Sequence, residues 1–388
     1  TTAINQLVSL AESSGSRQLR QTATDAVIEL VQPLGYDARL DRDQPTVRGP
    51  VLARLADSVR RFSMHKNVQL VDALLLVVTW GDADFRALLG EKSDQFALIC
   101  QRLRESQYPG VNDLVAGFLR RRRIPDRISA IIRERGQVEF RDALLRTIGS
   151  DPSATIVRNL GDIGLPVSCR GGQSLVQQVP AEYRAAVAHL YTAADTDALR
   201  KLNVVTEAVL KGGPACESAA ASCFARCEVP SIEIWMRAAV TIADGNQEGI
   251  AGDENSRLLE RLINLLDHSD PVLVRNVRRI LQPLHAEEML HRFETLRPRT
   301  RRKLGRVVMK VDPEALDRIR DALRHPVLKN RLAAIATADA FAAVDLLADS
   351  FRHISREDHQ EARIRAAKVM SNAESDDTLS MLREMVQL

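Results

Sequence analysis

The sequence predicts an all-α protein, folded as an α-α superhelix of stacked antiparallel helix pairs. Of its 388 residues, 45% are hydrophobic but only 4% are aromatic. Aliphatic side chains on good helix formers favour helix-on-helix packing over a β-sandwich. No segment alternates apolar and polar residues between turn signals, as a half-buried strand would. From Pro271 to Leu388 a helix pair recurs four times, at about 30 residues per unit, which is typical of helical solenoids.

The C-terminal repeats give the clearest helix predictions. First helices are predicted near 271–282, 299–310, 326–338 and 357–370, and second helices near 285–297, 313–323, 340–350 and 375–386. In the copy from Arg297 to His325, the second helix carries Leu316, Ile319 and Leu323 on one face. A pair of this size cannot bury its apolar stripe alone, so we expect neighbouring pairs to stack on one another.

The first 163 residues show the same helical periodicity less regularly. Helices are predicted near 3–14, 18–32, 67–79, 83–89, 92–105, 111–121, 126–135 and 137–148, with two more opened by Pro50 and by Asp151-Pro152. The segment 67–79 is apolar nearly all round. A helix of that kind is usually buried on several sides.

A predicted connecting loop over residues 164–180 separates the N-terminal helices, 1–163, from the C-terminal ones, 181–388. The run from Gly161 to Ser174 is rich in Gly, Pro and Ser, which predicts a break in helical structure and a domain boundary. Helices resume near 181–192, 195–211, 216–226 and 230–243, and the pattern is most regular from 271.

Three segments resemble the HEAT-repeat family. Asp270 to Arg275 (D-P-V-L-V-R) resembles the opening of a repeat, Asp312 to Leu316 with Ala322 to His325 resembles a second helix, and Glu361 to Ala367 (E-A-R-I-R-A-A) resembles a first-helix core. The resemblance is good over 271–388 and weaker near 151–164. It implies a superhelix that curves around a partner protein, often with the second helices lining the concave face. The irregular first 250 residues and the loops at 161–180 and 244–255 depart from the family pattern.

The sequence carries no catalytic motif that we recognise. It lacks G-x-S-x-G, a P-loop, H-E-x-x-H and G-x-G-x-x-G. None of its eight histidines is followed by glutamate, which excludes the di-iron hydroxylases that resemble HEAT repeats. We therefore expect a non-enzymatic protein without a cofactor. Trp80 with Asp82 and Asp84 could imitate the base-handling residues of a HEAT-like DNA glycosylase, but so few aromatics disfavour base stacking.

Metal sites are also disfavoured. Cys216, Cys223 and Cys227 fall on one helical stripe among alanines, which favours core packing over metal binding. The loop from Asp244 has oxygen ligands at positions one, three and five, but Asn255 stands where a calcium loop needs glutamate. Other weak candidates are His291 and the group around His353. Five sparse cysteines, no secretory-type start and no long apolar run predict a cytoplasmic protein that does not span a membrane.

Two basic runs are the candidate partner-binding surfaces. Residues 117–136 hold seven arginines for a net charge of +5, and residues 292–310 have a net charge of +7. The chain totals +3, so the rest of it carries −9. We expect a protein partner, with nucleic-acid or phosphate-backbone binding as the alternative. The alternative without function is that these arginines satisfy helix-terminal carbonyls or pair with acidic neighbours on adjacent repeats, because arginine runs are common on the solvated faces of long helices. The candidate residues are Arg297, Arg299, Arg301, Arg302, Lys303 and Arg306 in one run, and Arg120, Arg121, Arg122 and Arg123 in the other.

Overall fold

The structure, a computed structural model, describes residues 2–32, 45–90, 93–244, 254–289, 298–371, 373 and 375–386. Every regular element in these ranges is a helix and none is a strand, which confirms the all-α prediction. Two compact units are present. The first comprises Thr1–Thr196 and Glu207–Ala219, and the second comprises Asp197–Thr206 and Ala220–Leu388.

The helices of the first unit follow the predicted periodicity closely. They are α1 Thr2–Ser13, α2 Arg17–Val31, α3 Pro45–Arg60, α4 Phe62–His65, α5 Val68–Val77, α6 Ala83–Leu88, α7 Phe96–Glu105, α8 Pro109–Gly117, α9 Asp126–Glu134, α10 Val138–Ile148, α11 Ala154–Ile163, α12 Gln173–Gln178 and α13 Arg184–Ala194. Two further helices, α14 Ala198–Gly212 and α15 Pro214–Arg226, have residues in both units.

The first unit is assembled from successive helix contacts. Helix α2 contacts α5, which contacts α8, then α10 and α13 in turn, while α7 contacts α9 and α9 contacts α11. Pairs such as α1 with α2 and α3 with α5 join neighbouring helices. From Leu70 to Val78 the chain is almost fully buried, as its all-round apolar pattern predicts. These contacts define neighbours only, and the superhelix itself stays a prediction.

Two helix starts differ from the prediction. Pro50 lies inside α3, which begins at Pro45. Pro152 does not open α11 either, because Ser153 is the N-cap and its side chain accepts a hydrogen bond from the Ile156 amide. A serine hydroxyl satisfies an N–H that the helix leaves unpaired, so the cap moves one residue past the proline.

The predicted connecting loop over 164–180 is wrong in its local structure. It contains helix α12 and a short 3₁₀ turn, Val167–Cys169, and it lies within the first unit. The Tyr191 hydroxyl donates to the Cys169 carbonyl and accepts from the Gly172 amide, both at 2.6 Å. Gly172, with φ of +56°, supplies the left-handed backbone that leads into α12. Contacts with Tyr191, which is distant in sequence, therefore order a segment whose composition disfavours a helix.

The second unit contains the regular repeats. Its helices are α16 Ile232–Asp244, α17 Glu254–Asn264, α18 Pro271–Leu281, α19 Ala286–Met289, α20 Pro298–Val311, α21 Ala315–Leu323, α22 Leu328–Ala340, α23 Ala348–Glu357, α24 Gln360–Met370 and α25 Asp376–Val386. Helices α16, α20, α22 and α24 contact one another in that order, and so do α19, α21, α23 and α25.

Local signals place most of these helices correctly. Asp270 caps α18 by accepting from the Val272 amide at 2.8 Å, with Pro271 at the first helical position. Trp235 of α16 is fully buried and donates to the Ile280 carbonyl at 3.1 Å. The helix predicted at 340–350 is wrong, because α23 begins only at Ala348. Ala342 has a left-handed φ of 52°, which ends the preceding helix and delays the next.

Asp358 is expected to stabilise the second unit in its ionised form. Arg331 donates from Nε and Nη2 to the two Asp358 oxygens, at 2.7 and 2.6 Å, and these bonds hold the pKa of the carboxyl below its usual range. The pair therefore contributes its full stability above the unfolded-state pKa, about 3.9, and loses it as the pH falls through the folded-state pKa.

We expect Asp358→Asn to lower the free energy of unfolding by about 2 kcal/mol at neutral pH and by much less in strong acid. Urea unfolding across a pH series measures this difference. Asp349→Asn is the matched control, because Asp349 pairs with Arg352 but is 94% exposed. An equal loss for Asp358→Asn at acidic and neutral pH would contradict the assigned role of the ion pair.

Candidate arginine groove

The two sequence-predicted basic runs are described to different extents. Arg297 lies outside the described residues, and so do the side chains of Arg299, Arg301, Arg302, Lys303 and Arg306. Their helix, α20, buries Leu304, Val308 and Val311. At its C-terminal end Lys310 pairs with Asp267 at 2.7 Å. This run stays a predicted partner surface.

The other run forms an exposed segment between α8 and α9. Arg120, Arg121, Arg122 and Arg123 are all exposed. Helix α11 holds the backbone of this segment in place. The Asn159 side-chain amide donates to the Leu119 and Arg121 carbonyls at 2.9 and 2.7 Å, and Arg158 Nη2 donates to the Arg122 carbonyl at 2.5 Å. Asn159 is only 3% exposed, so its two bonds lie largely beneath the surface, whereas the Arg158 bond lies at the surface.

Helix α9 forms the floor of a groove beside this segment. Ile128, Ile131 and Ile132 are buried on its inner face. Asp126, Ala130 and Arg133 recur at four- and three-residue steps and therefore share the outer face. The helix is amphipathic, with its apolar side in the core and its polar side in the groove.

The groove has two adjoining depressions, of about 410 and about 610 Å³. The smaller, polar one is lined by Arg122, Arg123, Ile124, Asp126, Ser129, Ala130, Arg133, Asn159, Asp162 and Ile163. The larger one, with more apolar lining, is formed by Leu89, Phe96, Arg123, Pro125, Asp126, Arg127 and Ala130. They share Arg123, Asp126 and Ala130, so we treat them as one arginine groove.

The arginines of this groove have no ion-pair partner among the described residues. Arg122, Arg123, Arg127 and Arg133 are exposed and show no carboxylate within ion-pairing distance there. Some other arginines of the unit are paired, among them Arg102 with Asp72, Arg104 with Glu134, and Arg146 with Asp113. The alternative in which surface arginines pair with acidic neighbours thus applies to some arginines of the unit, but not to these four.

Arg135, the last arginine of the basic run 117–136, does not belong to the exposed surface. It is 1% exposed and cannot meet a partner at the surface. Its guanidinium donates to the Leu103 carbonyl, the Ser106 carbonyl and the Asn112 side chain at 2.5–2.6 Å. Burial lowers its pKa to about 10, so it remains a cation at neutral pH. This arginine binds the carbonyls at the C-terminal end of α7, where helices leave acceptors unpaired.

The residues weighed above as a base-handling site or as metal ligands are packed in the core or held in ion pairs. Trp80 is buried against Phe85. Asp82 pairs with Arg48, and Asp84 pairs with Arg60.

The cysteine stripe lies in the core. Cys216, Cys223 and Cys227 are free and buried, and burial raises the pKa of the Cys227 thiol to about 12. His353 pairs with Glu357 at 3.3 Å.

The loop weighed as a calcium site lies largely outside the described residues, and His291 lies wholly outside them. Within the part that the structure describes, no three His, Cys, Asp or Glu side chains are grouped to hold a metal ion. In the same ranges no helix combines the length and apolarity needed to cross a bilayer.

Several groove residues were not singled out from the sequence. Leu89, Phe96, Asn159 and Asp162 come from α6, α7 and α11 or their ends, and no spacing pattern relates positions so far apart. Only the consecutive arginines gave a sequence signal. The fold and groove define the class of the protein as an all-α chain with an arginine-lined groove. No protein-family model matches the chain, and no curated protein sequence matches it.

Proposed function

We propose that the protein is a non-enzymatic scaffold of HEAT-like repeats and that a partner protein binds its arginine groove. The observation that carries this proposal is the set of four groove arginines without ion pairs among the described residues. Each guanidinium keeps its planar set of N–H donors available for a carboxylate. Exposed positive charge in a chain that is acidic elsewhere also steers an acidic partner toward the groove.

The groove lining supports binding over catalysis. Its described residues combine arginine, aspartate and apolar side chains with Ser129 and Asn159, and neither cysteine nor histidine is among them. Arginine and aromatic residues beside an apolar pocket are typical of the residues that dominate protein-protein affinity. The basic run at 297–306 is proposed as a second contact surface, and a cytoplasmic location stays the expectation.

Charge reversal in the groove is the test. We expect Arg122→Glu/Arg123→Glu to lose the main protein partner captured from extracts of the source cells, because it replaces two cations by two anions. Quantitative mass spectrometry of the captured proteins measures the loss. The matched control is Arg17→Glu/Arg170→Glu, which makes the same charge change at exposed arginines outside the groove lining. It should retain the partner.

Circular dichroism must show that both double variants are folded. Equal capture by the wild type, the groove variant and the control would overturn the groove as the partner site. Capture lost in both double variants would show that net charge, rather than the groove, controls association.

Nucleic-acid or phosphate-backbone binding is the second candidate. It is favoured by Arg120 to Arg123, four consecutive exposed arginines. Binding of this kind weakens steeply and log-linearly with salt because counterions are released. A gel-shift titration of single- and double-stranded DNA and RNA at low salt tests it. No shift with any of them would exclude this candidate.

A further inference from the structure

We infer that the arginine groove binds a short acidic peptide segment anchored by one large apolar side chain. This inference rests on the proposed partner-binding function and names the chemistry of the bound segment. Four observations support it: the apolar half of the groove, the arginines of the polar half, the acceptors beside them, and the two groove carboxylates.

The apolar half supplies the anchor site. Leu89 and Phe96 are half-buried and, together with Pro125 and Ala130, line the depression of about 610 Å³. This volume lies within the roughly 300–1,000 Å³ range of ligand-binding pockets. A leucine or phenylalanine side chain placed here would remove both its own surface and that of Phe96 from water.

The polar half supplies donors for carboxylates. Arg122, Arg123 and Arg133 line the adjoining depression. Arg123 lines both halves, so a carboxylate paired with it would lie close to the anchored side chain. The ligand predicted by this arrangement has its negative charge adjacent to its apolar residue. Arginine pairs with carboxylates through two parallel hydrogen bonds, which fixes orientation as well as charge.

The groove also offers hydrogen-bond acceptors, which a peptide can use and a phosphodiester cannot. The Asn159 Nδ2 amide donates to the Leu119 and Arg121 carbonyls. Among the described residues, its Oδ1 accepts no hydrogen bond. Asp126 and Asp162 add carboxylate oxygens to the lining. Peptide N–H groups can donate to these oxygens, whereas the phosphodiester and deoxyribose oxygens of a DNA backbone can only accept.

The same two carboxylates disfavour a nucleic acid. Asp126 and Asp162 would repel a backbone that carries one negative charge on every phosphate. Single-stranded nucleic acids also need aromatic side chains on which bases stack, and Phe96 is the sole aromatic residue in the lining. An acidic peptide places its charges at separate positions and so can avoid the two aspartates.

Fluorescence anisotropy with the full chain tests the inference. The probes are a labelled peptide rich in glutamate with one central phenylalanine, its twin with serine in place of phenylalanine, and a labelled single-stranded oligodeoxynucleotide. We expect the anchored peptide to bind about tenfold more tightly than its twin. Arg122→Glu/Arg123→Glu should weaken both peptides by about tenfold or more, and Arg17→Glu/Arg170→Glu should leave them unchanged.

Phe96→Ala isolates the anchor. It should reduce the difference between the two peptides and leave the unanchored twin unaffected, because only the anchored side chain contacts this position. If Phe96→Ala fails to fold, Ala130→Glu serves instead. It adds a carboxylate where the two depressions meet and should abolish binding of both peptides.

Three results would overturn the inference. The two peptides could bind alike, the oligonucleotide could bind more tightly than either peptide, or no peptide could bind. In each case the cell-extract capture experiment decides separately whether the groove recruits a protein, so failure of the inference is distinguishable from failure of the proposed function.

Discussion

Replacing Arg135 by methionine is expected to lower the free energy of unfolding by about 3 kcal/mol. The guanidinium holds the Leu103 carbonyl, the Ser106 carbonyl and the Asn112 side chain, and all three acceptors would lose that donor in a region closed to water. A buried acceptor left unpaired costs about 1–3 kcal/mol. Relief of the buried charge offsets part of the loss, which is why we use the lower figure for each acceptor.

Urea unfolding followed by circular dichroism measures this effect. Arg133→Met is the matched control, because Arg133 belongs to α9 but is exposed, and it should change stability by less than about 0.5 kcal/mol. Arg135→Lys should fall between the two, since it keeps the charge without the planar fork. An Arg135→Met protein as stable as the wild type would show that water or rearranged groups satisfy these acceptors.

Gly305→Ala is expected to destabilise the protein by about 3 kcal/mol, the upper part of the range for overpacked cores. A Cβ at this position of α20 would overlap the Ala340 carbonyl oxygen and lie 2.5 Å from Phe341 Cα. Both belong to the backbone at the C-terminal end of α22, which cannot move aside as a flexible side chain can. The two helices contact each other here because glycine has no side chain.

Thermal unfolding by calorimetry detects the change as a lower Tm. Gly49→Ala is the chemically matched control, since an added Cβ there meets no atom within 4 Å in an exposed stretch of α3. It should stabilise slightly, by roughly 0.5–1 kcal/mol, because alanine is the better helix former. If Gly305→Ala and Gly49→Ala changed the Tm equally, the close contact between Gly305 and the end of α22 would be contradicted.

The helices were the most predictable part of this protein. Apolar spacing located α5 and α18 within one or two residues, because a buried helix face must repeat every 3.6 residues whatever it packs against. Helix predictions failed where the local structure depends on residues or backbone conformations that the apolar spacing does not show. Tyr191 orders the segment around α12, and a left-handed Ala342 delays α23. Neither a contact with Tyr191 nor a left-handed backbone at Ala342 produces a periodic pattern in the neighbouring sequence.

The candidate site was predictable only in part. Four consecutive arginines marked Arg120 to Arg123, but the same run included Arg135, which is buried. A cluster of charged residues in the sequence does not show which of their side chains are exposed to solvent. That depends on where α9 places each residue, and position 135 follows its last turn, next to the unpaired carbonyls of α7.

By itself the sequence determined the all-α class and the helix periods, because propensity and apolar spacing act over one or two turns. Only the tertiary structure decided that Leu89, Phe96, Asn159 and the arginines at 122 and 123 line one groove, and that Arg135 belongs to the core. The physical reason is that burial and ion pairing depend on which helices become neighbours. Nothing in the spacing of residues along a chain fixes that choice.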